Sequence, residues 1–151
     1  MMITEVLNLA SVVFPTVSFS KGVALVSRRS TDLATCRMAG LRRGWFNDLQ
    51  LVDSSGKGWQ VDGARKLHGV GPLWGYNIFL NQQIKIDLLS SKGPFAVSVD
   101  DLRERVLRSF RTWHGWEEDG TYDALKADIG RAHSVSEIIS LLGRDQDGPR
   151  R

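Results

Sequence analysis

The chain of 151 residues contains a single cysteine, Cys36. One thiol cannot form an intramolecular disulfide, and this composition is typical of proteins from a reducing compartment. Cys36 lies between Ala34 and Met38, and small or apolar neighbours of this kind favour a packed thiol over a nucleophile. We therefore expect a cytoplasmic protein that is stabilised by its core rather than by disulfides.

Long hydrophobic runs are also missing, and no apolar stretch is long enough to cross a bilayer. The most apolar stretch runs from Val6 to Phe19. Pro15 interrupts it, and Glu5 stands where a signal peptide carries positive charge. We interpret this stretch as core-forming structure or as a poorly ordered leader, and we expect no membrane association.

A strong excess of one charge is lacking, because 20 Lys and Arg face 17 Asp and Glu, for a formal net charge of +3. The positive surplus lies in the N-terminal half, where five arginines fall close together. Such a patch can bind phosphates, so nucleic-acid binding is our first alternative function, although scattered charge usually serves solubility. The arginines of this candidate site are Arg28, Arg29, Arg37, Arg42 and Arg43.

The motifs of the common enzyme classes are absent. We find no G-x-G-x-x-G or Walker phosphate loop, no G-x-S-x-G, no H-E-x-x-H and no C-x-x-C. The three histidines, His68, His114 and His133, are widely separated, so a nucleophile, a base and an orienting group cannot be assigned. We predict no catalytic residue, no metal site and no cofactor, and we keep a small enzyme with a cleft near His68 and Trp74 as a second alternative.

The chain does contain enough apolar sequence for a core. The hydrophobic fraction is 42% and the charged fraction is 25%, and these values and the length fit one globular domain. The last residues are polar and include Gly148-Pro149. We predict a single domain over residues 1–143 and a disordered tail over residues 144–151.

Strand patterns dominate the first half of the chain. A short β-branched run over residues 22–27 predicts a strand, and residues 32–40 predict a helix. Residues 46–53 and 59–61 predict two strands, and the turn-forming composition between them indicates a β-hairpin.

The clearest strand signal lies between residues 76 and 88. Apolar residues occupy the even positions except Gln82, with mostly polar residues between them, which indicates a sheet with one wet face. We expect a bend or turn at residues 81–83 and an end to the strand region at residues 90–94. The apolar even positions are Tyr76, Ile78, Leu80, Ile84, Ile86 and Leu88.

Helical periodicity replaces the strand pattern after Ser98. Ser98 and Ser134 each begin a capping-box pattern, Thr121 is expected to open the helix between them, and Gly143 is expected to end the last helix. We therefore predict an α+β protein with a mixed, largely antiparallel sheet and C-terminal helices packed on it. The side chains that we expect to be buried together are Ile84, Ile86, Leu88, Leu102, Val106, Phe110, Ile138 and Leu142.

Four arginines lie within nine residues of the first C-terminal helix. Arg105 and Arg108 each follow an acidic residue by four positions, a spacing that predicts exposed ion pairs along the helix. Arg103 projects beside the apolar stripe and is expected to extend along it or to meet a buried acid. We interpret these arginines as structural rather than as a nucleic-acid surface.

A loop with two tryptophans and three acids follows this helix. Trp anchors flanked by charge are typical of binding hot spots, and two indoles in so short a loop cannot easily both enter one core. We predict that this loop lies on or beside a partner surface; packing of both indoles under the helices is the alternative. The candidate partner-binding residues are Trp113, His114, Trp116, Glu117, Glu118, Asp119, Trp74 and Tyr76.

Four segments together share the layout of a known class of protein. They are Asp53-Ser54-Ser55-Gly56-Lys57 leading into Trp59-Gln60-Val61, Gly69-Val70-Gly71-Pro72-Leu73-Trp74-Gly75-Tyr76, the strand after it, and the capped helix at Ser134. Over roughly residues 21–142, this layout resembles small bacterial immunity proteins of polymorphic and contact-dependent toxin systems. The resemblance implies a cognate toxin as partner, bound stoichiometrically and without a cofactor.

A protein-binding inhibitor of the immunity type is therefore our leading functional hypothesis. Inhibitors of nucleases are often acidic, whereas this chain is slightly basic. The hypothesis thus favours a toxin that is not a nuclease, unless residues 117–119 provide a local acidic patch.

Overall fold

The structure is a computed structural model and describes residues 4–37, 41–69, 83–112 and 123–146. The strands within these residues are β1 (Glu5–Val6), β2 (Thr16–Ser20), β3 (Val23–Ser27), β4 (Thr35–Arg37), β5 (Leu49–Asp53), β6 (Lys57–Gly69) and β7 (Gln83–Ala96). The main helices are α1 (Ser30–Ala34), α2 (Val99–Thr112), α3 (Asp123–Arg131) and α4 (Val135–Gln146). A 3₁₀ turn at Leu9–Ser11 precedes β2.

The strands form one sheet in the order β1-β7-β6-β5-β2-β3, and β4 also pairs with β7. The strand pairs of the described residues are antiparallel. The three longer helices α2, α3 and α4 all follow the last strand of this sheet. The predicted α+β class, with a largely antiparallel sheet and C-terminal helices, is confirmed.

The predicted hairpin is formed by β5 and β6, and Asp53 organises its turn. The Asp53 side chain is buried, and its Oδ1 accepts hydrogen bonds from the backbone N–H of Ser55 and of Lys57, both at 3.0 Å, and from the Ser55 hydroxyl at 2.7 Å. Its Oδ2 accepts a hydrogen bond from the backbone N–H of Val13 at 3.0 Å. One carboxylate therefore closes the turn and holds the N-terminal segment against it.

One face of the sheet is covered by α2, α3 and α4. Val17 of β2 and Val52 of β5 are register partners, and both point to this face because side chains alternate along a strand. The buried cluster on this face, which we call the helix-side core, comprises Val17, Val52, Leu102, Val106, Phe110, Ile129, Ala132, Val135, Ile138, Ile139 and Leu142.

The opposite face packs against the N-terminal segment, α1 and Phe46. The stretch from Val6 to Phe19 is thus core-forming, which was one of its two interpretations. The buried cluster here, which we call the N-terminal core, comprises Leu7, Val12, Leu33, Phe46, Leu49, Leu51, Trp59, Val61, Ile84, Ile86 and Leu88.

The eight side chains predicted to be buried together are all buried, but they belong to two clusters. Ile84, Ile86 and Leu88 lie in the N-terminal core, whereas the other five lie in the helix-side core. A period of two identifies a buried face of a strand, but it does not say which face of the sheet the helices cover. The expectation of one shared cluster is therefore wrong.

Several boundaries of helices and strands differ from expectation, and long-range strand pairing explains two of them. The helix predicted over residues 32–40 ends at Ala34, because the next three residues pair with β7, with Thr35 opposite Lys85. The strand expected to end at residues 90–94 continues to Ala96, because its last residues pair with the start of β6. Tertiary pairing overrides local preference in both places.

The last helix continues through Gly143 to Gln146, so the expected helix end at Gly143 is wrong and part of the expected tail is helical. A Cβ atom at Gly143 would lie 3.5 Å from Cγ1 of Val26, which shows how closely α4 passes β3. The Arg28 guanidinium donates a hydrogen bond to the Gly143 carbonyl at 2.8 Å. The glycine therefore lies at a helix–strand contact.

The predicted N-caps are confirmed. The hydroxyl of Ser98 accepts a hydrogen bond from the N–H of Asp101 at 3.1 Å, and that of Ser134 accepts one from Glu137 at 3.1 Å. In a capping box, the Glu137 carboxylate would accept a hydrogen bond from the N–H of Ser134. It accepts one from the N–H of the preceding residue, His133, at 3.4 Å.

Two expectations lie outside the described residues. They are the first part of the strand pattern over residues 76–82 and the helix start at Thr121. Within the described part of the chain, no helix combines the length and the apolar character that crossing a membrane requires.

Candidate functional site

The predicted partner-binding loop is not among the described residues. The same holds for the two aromatic residues expected near it. The prediction therefore stays open for Trp113, His114, Trp116, Glu117, Glu118, Asp119, Trp74 and Tyr76.

The candidate nucleic-acid arginines are distributed over several elements. Arg28 and Arg29 lie between β3 and α1, and both are exposed. Arg37 lies on β4, which pairs with β7 towards the other end of the strand order, and Arg42 and Arg43 are exposed in the following segment. The side chain of Arg37 lies outside the described residues, so a single patch of all five arginines stays a prediction.

Cys36 has the environment expected of a packed thiol. It lies against the N-terminal core, and burial raises its pKa from 9.0 to about 11. A thiol with such a pKa is protonated at neutral pH and is therefore a poor nucleophile. Among the described residues, no three His, Cys, Asp or Glu side chains form a group that could hold a metal ion.

Arg103 was expected to extend along apolar surface or to meet a buried acid, and it binds backbone carbonyls instead. Its Nε donates to the carbonyl of Ile129 at 3.1 Å and its Nη2 to that of Ala132 at 2.5 Å. Its Nη1 pairs with the exposed carboxylate of Asp100. These carbonyls lie at the C-terminal end of α3, so Arg103 joins α2 to α3. Its positive charge also stabilises the partial negative charge at that helix end.

Arg105 was expected to be exposed and paired with Asp101 on its own helix, and this is wrong. Its guanidinium donates a hydrogen bond to Oε1 of Gln50 and lies over the ring of Phe19, 5.7 Å from the ring centroid. The side chain is partly buried. Since α2 packs across β2 and β5, Arg105 faces the sheet, where the aromatic face of Phe19 and the amide oxygen of Gln50 stabilise its charge.

Arg108 behaves as predicted. Its Nη2 lies 2.6 Å from Oε1 of Glu104, one turn earlier, and both side chains are exposed. Arg105 and Arg108 are three residues apart and so lie on the same side of α2.

These two arginines line a cleft between α2 and the sheet, with a volume of about 410 Å³. This volume falls in the range of ligand-binding sites. We call it the cationic cleft, and its lining residues are Phe19, Ser20, Lys21, Gly22, Asp48, Gln50, Arg105, Arg108 and Ser109.

The wall opposite α2 contains two residues in the left-handed backbone region. Lys21 has φ of 52° and Asp48 has φ of 57°, and they are the non-glycine residues of the described chain with positive φ. Lys21 and Gly22, whose φ is 79°, form the two-residue turn between β2 and β3, and positive φ at both positions is the property of a type I′ turn. The hairpin therefore sets the backbone at Lys21, whereas Asp48 lies immediately before β5.

The charges around the cleft are unequal. Among the lining residues, Lys21, Arg105 and Arg108 carry positive charge and Asp48 carries negative charge. The charge of Arg108 is paired with that of Glu104 on the same helix. The Asp48 carboxylate accepts a hydrogen bond from Nε2 of Gln60 at 2.9 Å, which holds it in place. The cleft can therefore accept an anionic group, and it also offers a carboxylate to a hydrogen-bond donor.

Sequence reasoning missed this cleft because its residues come from three separate parts of the chain. One signal was readable: Lys21-Gly22 lies between two apolar runs, as a two-residue hairpin turn does. The position of Arg105 over Phe19 had no such signal, because it depends on how α2 crosses the sheet.

No protein-family model, no curated protein and no solved structure matches this chain.

Proposed function

We propose that this protein is an inhibitor of the immunity type that binds a cognate protein toxin stoichiometrically, without a cofactor, in the cytoplasm. The observation that carries the proposal is the cationic cleft, in which Arg105 is held in a defined position by Gln50 and Phe19.

A positioned arginine is well suited to protein recognition. Arginine is enriched at binding hot spots, and a side chain that is already ordered loses less conformational entropy on binding. Gln50 and Phe19 provide this order for Arg105 before any partner arrives. The cleft thus has the properties of an anchor point for an acidic group of a partner.

The position of the cleft along α2 also supports the proposal. Ser109 lines the cleft, and α2 ends at Thr112, immediately before the predicted partner-binding loop that begins at Trp113. On this proposal, the partner contacts both the cationic cleft and the predicted partner-binding loop. A partner that meets groups of both charge signs is favoured in one orientation over others.

The test measures binding to the protein encoded by the neighbouring gene. Isothermal titration calorimetry with the full-length chain should give a one-to-one complex, and the double variant Arg105→Gln/Arg108→Gln should weaken it by about tenfold or more. Arg131→Gln is the matched control, because Arg131 is an exposed arginine of α3 paired with Asp128 three residues away. The absence of a complex with the wild-type chain would reject the proposed function.

Nucleic-acid binding is a second candidate, supported by the exposure of Arg28, Arg29, Arg42 and Arg43. Phosphate contacts predict an affinity that falls steeply with salt. The measurement is fluorescence anisotropy with labelled DNA and RNA at 50 and 200 mM salt. Binding that is lost in Arg42→Gln/Arg43→Gln but kept in Arg131→Gln would place this candidate first.

A further inference from the structure

We propose that the cationic cleft receives an acidic, extended polypeptide segment, and that Lys21 is kept in its hairpin turn to contact the carboxylates of that segment. That the segment belongs to a cognate toxin rests on the proposed function. Binding of an acidic peptide to the cleft can be tested separately.

The residue type at position 21 is the first observation. The turn requires positive φ, and Asn, Asp and Gly are the residues that adopt this conformation at least cost. A lysine in the left-handed region is less stable, because its Cβ lies close to the following carbonyl oxygen. A side chain that lowers stability where it stands, and that also lines a cleft, is typical of a functional position.

The distribution of positive charge is the second observation. Arg105 and Arg108 lie on the α2 wall of the cleft, and Lys21 lies on the β2–β3 turn that forms another wall. A carboxylate entering the cleft would therefore have the guanidinium of Arg105 and the ammonium group of Lys21 among its lining groups, together with Arg108, which also pairs with Glu104. Charge-assisted hydrogen bonds of this kind are the stronger class, and guanidinium matches the geometry of a carboxylate.

Asp48 determines which anion fits. Its carboxylate lines the same cleft, so a compact, densely charged anion such as phosphate would be repelled by it. A polypeptide avoids this difficulty, because it can place carboxylates at the cationic groups and a backbone N–H at Asp48.

The experiment uses the full-length protein and three probes. They are a synthetic peptide of alternating glutamate and glycine, the same peptide with glutamine in place of glutamate, and inorganic phosphate. Titration followed by NMR chemical shifts should show the glutamate peptide binding more tightly than either of the other probes, with shifts at Lys21, Gln50 and Arg105. Equal binding of the glutamine peptide, tighter binding of phosphate, or no binding of the glutamate peptide at millimolar concentration would overturn the proposal.

The decisive variant is Lys21→Asn. Because asparagine tolerates the left-handed region, the variant should raise Tm by about 2–4 °C. Loss of one exposed charge pair should weaken peptide binding about three- to fivefold. Arg131→Gln, which removes one positive charge from α3, should change the affinity less than twofold. Unchanged affinity in a folded Lys21→Asn variant would overturn the role of Lys21.

Failure of this inference and failure of the proposed function give different results. A complex with the neighbouring protein that is insensitive to Lys21→Asn would reject the inference and leave the function standing. Binding of the glutamate peptide at the cleft, without a complex with the neighbouring protein, would support the inference and reject the function.

Discussion

At the scale of single residues, the most informative side chains are those whose partners lie far away in sequence. Asp53 belongs to a turn that was predictable from its composition, yet one of its carboxylate oxygens binds the N–H of Val13, forty residues earlier. Arg105 has an acidic residue at the favourable spacing on its own helix and binds Gln50 instead. In both cases, the packed fold supplies the contact that local spacing does not.

The buried carboxylate of Asp53 should be important for stability. Asp53→Ala would leave four donors without an acceptor, so we expect the free energy of unfolding to fall by about 3 kcal/mol or more in urea denaturation. Asp53→Asn can keep the three bonds at Oδ1 and loses the one at Oδ2, and it should cost about half as much. Equal losses in the two variants would mean that the charge, rather than the number of acceptors, is what the fold requires.

Cys36 should make the free energy of unfolding depend on pH in the alkaline range. Its pKa in the folded protein is raised to about 11 by burial, above its ordinary value of 9.0. Between these values, the unfolded chain ionises while the folded chain stays protonated, so the free energy of unfolding should fall as the pH rises from about 9 to 11. The decline should be smaller in Cys36→Ala, as measured by urea denaturation across this range. The same slope in both proteins would contradict the prediction.

At the scale of elements, pairing and packing decided where helices and strands end. The hairpin of β5 and β6 and the caps of α2 and α4 follow from short patterns, and the structure confirms them. The short length of α1 and the extension of β7 follow from pairing with distant strands. Local patterns therefore predicted the existence of elements better than their ends.

The continuation of α4 through Gly143 can be tested by substitution. In a helix interior, alanine is more stable than glycine, and a Cβ at this position would make ordinary contact with Val26 at 3.5 Å. Gly143→Ala should therefore raise the free energy of unfolding by about 0.5–1 kcal/mol in thermal denaturation. The control is Gly130→Ala in α3, where a Cβ would meet no atom within 4 Å and a similar gain is expected. A loss in Gly143→Ala beside a gain in Gly130→Ala would show that Gly143 terminates the helix.

At the scale of the whole molecule, the sheet separates two cores. The helix-side core is built from the C-terminal helices together with β2 and β5, and the N-terminal core is built from the segment before β2, α1 and the inner strands. Each strand between them contributes side chains to both faces by alternation. The sheet is therefore the element that both halves of the chain need in order to bury apolar surface.

This arrangement predicts additive effects across the sheet. Ile86 of the N-terminal core is 3% exposed and Ile138 of the helix-side core is 0% exposed, so each substitution by alanine should cost about 2–5 kcal/mol. Because the two residues belong to separate clusters, the double variant should lose the sum to within about 0.5 kcal/mol, as measured by urea denaturation. Lys85→Ala, at an exposed neighbouring position, should change stability by less than about 0.5 kcal/mol. A coupling energy above about 1 kcal/mol would show that the two cores behave as one.

The amino-acid sequence alone determined the α+β class, the hairpin at Asp53, the two serine caps and the identity of the eight buried side chains. These features depend on periodicity and on turn and cap residues, which act over a few neighbouring positions. Only the tertiary structure decided that those side chains fall into two cores, that Arg105 turns to Gln50, and that Lys21 and Asp48 line one cleft with α2. The physical reason is that these contacts join residues far apart in the chain, and their geometry is set by strand pairing and by the packing of a helix across the sheet.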